Sequence, residues 1–312
     1  MLHLRLLVPT ELSAAVLALL GGYPGVAHLS RITGAALEPA GDLIEVEVAR
    51  EVADELIAEL HTLGLTTSGA MSVSPVDLSL SAASAQALAE APGNSPDSVI
   101  WEQVEARMGA DSALSGTFLA FLTIAALLAG IGVVLDSPIT VVGAMVVGPE
   151  FGPLAAMSVG IVRRRPVLIR RGAIALAVGF PFAMLVTAAA AWVGARTGLI
   201  STADLTSNPQ TEFIYEPGVL SLVVALLAGA AGMLSTTSGK SAALVGVFIS
   251  ITTVPAAGYA AVATVLGEWH QVGGSALQLL INLIGIVLAG VVTLMIVRRI
   301  DVYRASRRVP AD

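Results

Sequence analysis

The chain contains no cysteine and few aromatic or charged residues. Of its 312 residues, 4% are aromatic and 12% are charged. Without cysteine there is no disulfide, no thiolate metal site and no cysteine nucleophile. The shortage of aromatic residues disfavours base-stacking nucleic-acid modules and the aromatic girdles of outer-membrane barrels. A net charge of −7 has the wrong sign for binding a phosphate backbone, so no nucleic-acid partner is expected.

Charge and hydropathy divide the chain into two parts. Residues 1–112 contain four arginines and fifteen acidic residues, whereas residues 113–312 contain twelve basic and eight acidic residues. The second part also holds uncharged apolar runs, each long enough to cross about 30 Å of hydrocarbon. We therefore predict a mostly α polytopic protein in contact with membrane lipid, with six transmembrane helices at 115–135, 139–162, 172–194, 218–234, 242–266 and 276–297.

The basic residues predict the orientation of these helices. One side would hold eleven of them, in the loops after the second and fourth helices and after the sixth, whereas the other would hold only Arg196. Because loops rich in Lys and Arg stay in the cytoplasm, both termini are expected to be cytoplasmic.

Residues 1–76 show a pattern of short strands and helices. Strands are predicted at 2–8, 26–33, 43–48 and 70–76, with helices at 11–20, capped by Thr10, and at 51–63. The order βαββαβ is typical of a ferredoxin-like α+β domain. A domain of about 75 residues buries only a modest core, so a homo-oligomer is expected.

Residues 77–112 would connect this cytoplasmic head to the membrane domain, 113–300, which a cytoplasmic tail, 301–312, follows. A Ser/Ala/Pro/Gly-rich linker extends to residue 96, and an amphipathic helix follows as far as Met108. The helix is either a lever between head and membrane or a helix packed on a neighbouring element.

The main candidate site lies at the middle of the second predicted span. Two prolines four residues apart should break the helix, and broken backbone at membrane depth lies only against protein or a water-filled cavity. A carboxylate there must be protonated, paired or hydrated. Glu150 is thus either part of a mid-membrane ion or solute site or a cap for the second half-helix. The candidate residues are Gly148, Pro149, Glu150, Gly152 and Pro153.

A second break is predicted in the fifth span, at Thr252, Thr253 and Pro255. The second and fifth spans are the middle members of two sets of three helices with opposite orientation. They resemble the halves of a 3+3 inverted repeat, which would bring the two breaks together at one site. Glu150 would then be either protonated or part of a cation site with Thr252 and Thr253. Asn282, in the sixth span, is a further polar candidate, although a helix–helix hydrogen bond is its commoner role.

The segment 142–153, VGAMVVGPEFGP, resembles a known family, together with LVGV at 244–247, Val254-Pro255, and Gly41-Asp42 followed by 48–51. The chain is similar to the prokaryotic "uncharacterised hydrophobic domain" membrane family, domain of unknown function number 389, and to its shorter-headed actinobacterial branch. The resemblance covers residues 1–300 and implies a bacterial inner-membrane protein with a cytoplasmic head. Ala256 stands where the family often has a second proline, and the family supplies no substrate.

Three functional hypotheses remain open. A transporter or channel for a small solute or ion, regulated by the head, accounts best for the broken helices and Glu150. A membrane-anchored sensor or scaffold, whose head binds a metabolite or protein partner, is the alternative. An enzyme is not expected because no catalytic set can be identified. The four histidines are scattered, so no metal site is expected, and no cofactor is predicted.

Overall fold

The computed structural model describes residues 1–76, 78–91, 99–206, 210–238, 247 and 252–306. The chain forms two compact units, Met1–Gln103 with Asp301–Asp312, and Val104–Ile300. Each unit is described by itself.

The N-terminal unit is a four-stranded antiparallel sheet with helices. Its strands pair in the order β2-β3-β1-β4. Along the chain the elements are β1 Leu2–Pro9, α1 Thr10–Gly21, β2 Val26–Leu37, β3 Ala40–Val48, α2 Arg50–Thr62, α3 Leu65–Ser68, β4 Ala70–Pro75 and α4 Ala82–Glu90.

Alternation of apolar residues explains the core of this unit. In β1, Leu2, Leu4, Leu6 and Val8 point to one side of the sheet and are fully buried. The apolar stripe of α2, which includes Leu56 and Leu60, is buried in the same cluster. The strands and helices of the head therefore follow from the periodicity of the sequence, apart from the short additional helix α3.

Two local predictions for this region differ from the structure. Thr10 is the first residue of α1 rather than its cap, and Pro9 holds the cap position without a side-chain hydrogen bond. The predicted linker contains helix α4, because the Ser81 hydroxyl accepts a hydrogen bond from the Ser84 amide and alanines then favour a helix. The predicted start of the amphipathic helix, 95–97, lies outside the described residues.

The second unit is built from apolar helices. They are α5 Trp101–Asp111, whose first turn belongs to the N-terminal unit, α6 Gly116–Val134, α7 Pro138–Val147, α8 Phe151–Val162, α9 Pro166–Arg196, α10 Ala203–Thr206, α11 Val219–Ser238, α12 Thr253–Leu266 and α13 Trp269–Ser306. A single 3-10 turn, Glu212–Ile214, precedes α11.

Four of these helices are long and apolar enough to cross a membrane, namely α6, α9, α11 and residues Trp269–Ile300 of α13. The pair α7 and α8 passes the same test together but bends by 51° at the break between them, so it counts as a possible fifth span. The predicted span 242–266 is described only at Val247 and from Thr252 onward, where α12 is too short to cross alone. The structure therefore contains several membrane-type helices, and six spans remain a prediction.

Small residues let these helices pack closely. A Cβ on Gly172 of α9 would lie 2.8 Å from Met157 Cγ of α8, and one on Gly258 of α12 would lie 2.7 Å from Ala129 Cβ of α6. Close backbone approach of this kind is common between helices in membranes. It fixes α8 on α9 and α12 on α6, and these two contacts position the site described next.

Candidate functional site

The helix break predicted in the second span is present. Helix α7 ends at Val147, Gly148 adopts an extended conformation, and α8 begins at Phe151. Pro149 has no amide hydrogen to continue the ladder of α7, so its position explains the break. The break leaves the side chain of Glu150 at the junction of two half-helices.

Glu150 is buried and turns toward the start of α12. Its side chain is 4% exposed, and its Oε1 accepts a hydrogen bond of 2.6 Å from the Thr253 hydroxyl. Its Oε2 is buried and has no hydrogen-bond partner among the described residues. Glu150 occupies the cap position of α8, but its side chain makes no capping hydrogen bond to that helix. The capping interpretation therefore lacks the contact that would define it.

Glycine is required at position 148 by the carboxyl group of Glu150. A Cβ built on Gly148 would overlap Glu150 Oε2 and lie 2.8 Å from Val254 Cγ2. A side chain at this position would push the carboxyl group away from Thr253 or shift α12. The Gly-Pro-Glu sequence thus combines a backbone break with room for the side chain that follows it.

The start of α12 carries the second half of the site. Thr253 is its first residue and is fully buried, and Pro255 falls in the first turn, where its missing amide hydrogen costs no hydrogen bond. The Thr252 hydroxyl accepts hydrogen bonds from Gln278 Nε2 at 3.0 Å and from Asn282 Nδ2 at 2.8 Å. Adjacent threonines therefore connect Glu150, on one side, to two amide side chains of α13 on the other.

A cavity of about 620 Å³ lies next to Thr252 and the two amide side chains of α13. Thr252, Gln278 and Asn282 form its polar end, and Met145 of α7 lies beside them. The remaining lining residues are Val142, Phe213, Glu216, Gly218, Val219, Leu220, Ser221 and Val224. Among the described residues that line this cavity, Glu216 carries the only charge, and its carboxylate would attract cations.

The predicted site residues fall into two groups. Gly148, Glu150, Thr252, Thr253 and Asn282 come together around the start of α12. Gly152 instead lies against Asp111 of α5, since its Cβ would meet that backbone oxygen at 2.7 Å. Pro153 lies against Gly172 of α9. Gly152 and Pro153 therefore hold α8 in place, whereas Pro149 and Pro255 shape the two helix ends.

Gln278 was missed by the sequence reasoning. It is 2% exposed, shares Thr252 with Asn282, and its Oε1 has no partner among the described residues. Its position four residues before Asn282 places both amides on one face of α13. The four-residue spacing of the two amides, which indicates a shared polar face, can be recognised in the sequence.

Within the described part of the chain, no group of three or more His, Asp or Glu side chains lies close enough to hold a metal ion. The acidic side chains of the second unit are dispersed. Asp136, for example, accepts a hydrogen bond from the Thr211 hydroxyl at 3.2 Å, away from the cavity. Lys240 lies outside the described residues.

Comparison with known proteins gives one match. The family model described as "Domain of unknown function (DUF389)" matches residues 145–288. Residues 145–288 are a DUF389 domain. This confirms the family predicted from the sequence. No curated protein and no solved structure matches the chain.

The DUF389 match contains the whole candidate site. Glu150, Thr252, Thr253, Gln278 and Asn282 all fall within the matched residues. The site is therefore part of the DUF389 domain, whereas the N-terminal sheet lies before it.

Proposed function

We propose that this DUF389 protein is a transporter or channel of the bacterial inner membrane for a small solute or ion. The observation that carries the proposal is the buried Glu150–Thr253 pair, which lies beside the polar end of a cavity. Buried carboxyl groups in membrane proteins are costly and usually serve ion, proton or substrate pathways. A scaffold has no need of this arrangement.

The depth of the pair fits a site within the bilayer. Helix α12 begins at Thr253 and contains 14 residues, which corresponds to a length of about 21 Å. Asn282 is 13 residues after the first residue of α13, a distance of about 20 Å along the helix. The two helices meet at the turn around Gly267, so the pair would lie about two thirds of the way across a 30 Å hydrocarbon core from that turn.

We assign six spans and a 3+3 inverted repeat to the membrane domain as part of this proposal. The break between α7 and α8 meets the start of α12 at Glu150 and Thr253, as expected for the middle helices of two inverted sets. The cluster Arg163, Arg164 and Arg165 would face the cytoplasm together with both termini.

We assign the N-terminal sheet to a ferredoxin-like cytoplasmic head that regulates transport, in a homo-oligomer. The support is the strand order β2-β3-β1-β4 with antiparallel pairing, which matches a split βαβ arrangement. The sensor hypothesis would use the same head without transport.

Flux measurements on Glu150 variants test the proposal. Glu150→Gln keeps the size and hydrogen-bonding capacity of the side chain but removes its charge, so it should abolish solute-dependent or pH-dependent flux in reconstituted vesicles while the protein stays folded. Glu150→Leu should also lose flux. A purely structural role predicts the opposite pattern: full flux in the glutamine variant, with misfolding confined to the leucine variant. That result would support a sensor or scaffold.

A further inference from the structure

The buried polar residues of α13 lie on one face of the helix. Gln271, Ser275, Gln278 and Asn282 are separated by four, three and four residues, which is the spacing of a single helical face. Each is less than a tenth exposed. This polar stripe extends from the first turn of α13 for about 17 Å along the helix, as far as Thr252.

The stripe offers hydrogen-bond acceptors that nothing in the described structure satisfies. Gln271 Oε1, Ser275 Oγ and Gln278 Oε1 are buried without partners, and so is Oε2 of Glu150 beyond its inner end. Buried polar atoms of this kind normally have a partner, and in a bilayer water does not supply one. Three unsatisfied oxygens on one helix face, with a fourth on Glu150, therefore indicate a ligand that accepts oxygen coordination or donates hydrogen bonds.

The charged side chains described near the polar stripe and the cavity are acidic. Glu216 lies in the wall of the cavity and Glu150 beyond its polar end, and no basic side chain is present among the described cavity-lining residues. Hard cations bind oxygen ligands, and carbonyl oxygens can replace their hydration shell. Glu150 alone among these neutral amide and hydroxyl oxygens supplies too little negative charge to favour a divalent over a monovalent ion, and Glu216 lies apart in the cavity wall.

We propose that the polar stripe of α13, together with Glu150, binds a small monovalent cation such as Na⁺ or K⁺ that enters from the cavity at Gln278. This inference rests on the proposed transport function and names its substrate class. Gln278 holds the central position, because it lines the cavity and also donates to Thr252.

Thermal unfolding of the purified full chain in detergent tests the cation site without requiring flux. A ligand that binds the native state adds RT ln(1 + [L]/Kd) to the free energy of unfolding, so Tm begins to rise near Kd and then rises with the logarithm of the ligand concentration. NaCl and KCl should raise the Tm of the wild type, and N-methyl-D-glucamine chloride at equal ionic strength should not. Gln278→Leu and Ser275→Ala should each raise the cation concentration at which Tm begins to rise, by about tenfold for the loss of one good ligand.

Two further variants distinguish the loss of a cation ligand from a general loss of stability. Thr187→Val removes another buried hydroxyl without a partner, which lies on α9 in the wall of a separate apolar cavity, and it should leave the cation dependence unchanged. Gln278→Glu adds a carboxylate and should tighten cation binding, a gain that misfolding cannot produce. An unchanged cation dependence of Tm in Gln278→Leu, equal stabilisation by N-methyl-D-glucamine, or stabilisation by divalent cations alone would overturn the proposal.

Different results would contradict the cation site and the transport function. Flux of a neutral or anionic solute, without cation-dependent stabilisation, would overturn the cation site and leave transport standing. Cation-dependent stabilisation that Gln278→Leu weakens, without flux of any ion, would overturn transport and leave the site standing.

Discussion

Replacing Thr253 with valine should measure how strongly the candidate site is held together. Valine has nearly the shape of threonine but lacks the hydroxyl that donates the 2.6 Å hydrogen bond to Glu150. Because Thr253 is fully buried, no water replaces the lost donor. A hydrogen bond to a charged group contributes about 1.5–3 kcal/mol and one between neutral groups about 0.5–1.5 kcal/mol. The free energy of unfolding should decrease by an amount that lies in one of these two ranges. The range observed reports whether Glu150 is ionised.

Thr264 of the same helix, which is exposed where Thr253 is buried, provides a control for the loss of a threonine hydroxyl. Its hydroxyl donates 2.6 Å to the backbone oxygen of Ala260, one turn earlier, and to no other element. Thr264→Val should therefore change the free energy of unfolding by no more than about 0.5 kcal/mol. Both variants can be compared by reversible unfolding in mixed detergent micelles.

A double-mutant cycle isolates the contact itself. In the Glu150→Gln background, the cost of Thr253→Val should fall if the hydroxyl acts on a charged carboxylate, which gives a measurable coupling energy. Equal losses for Thr253→Val and Thr264→Val, with no coupling to Glu150, would refute the reasoning.

Three other predictions follow from the described contacts. Gly148→Ala should destabilise the protein and abolish flux, because its Cβ would displace the Glu150 carboxyl group, and both effects can be read in the assays above. In the head, hydrogen bonds from Ser13 and the Gly34 amide, with the Arg31 guanidinium, hold the pKa of Asp42 below its usual range. The resulting stabilisation is complete above the pKa of an unfolded carboxyl group and is lost as pH falls through the lower folded pKa. The protection factors of the β1 and β3 amides in the full chain, which correct exchange rates for the intrinsic pH dependence of amide exchange, should therefore fall on acidification in the wild type and depend less on pH in Asp42→Asn. Finally, cysteine at position 201 should label with an impermeant thiol reagent in intact cells and cysteine at 306 should not; the reverse pattern would contradict the orientation.

The head was predictable because its local signals agree. Strand alternation in β1, the apolar stripe of α2 and the glycines after each helix all indicate the same element order. Helix α4 was not predicted, because a run of Ser and Ala is compatible with both a linker and a helix. Its cap at Ser81 decides between them.

In the membrane domain, the sequence predicts the break between α7 and α8 better than it predicts the ends of the spans. Proline chemistry predicts a break near Pro149, which the structure contains, whereas hydropathy cannot report the 51° bend or the length of each half. The contact between Glu150 and Thr253 depends on packing between segments 103 residues apart, which one sequence does not specify without the repeat hypothesis. The amide of Gln278 was overlooked within an apolar run, although its spacing to Asn282 was readable.

The most direct test is whether water and a small cation reach Asn282 from the cavity. Because the chain lacks cysteine, Asn282→Cys introduces a single thiol at the polar end of the cavity, and Ala289→Cys places one seven residues further along the same helix face. If the cavity leads to the Glu150 pair, a small cationic, membrane-impermeant thiol reagent added from outside should modify Asn282→Cys and leave Ala289→Cys unmodified. An unreactive cysteine at 282 in the folded protein would contradict a path to Glu150.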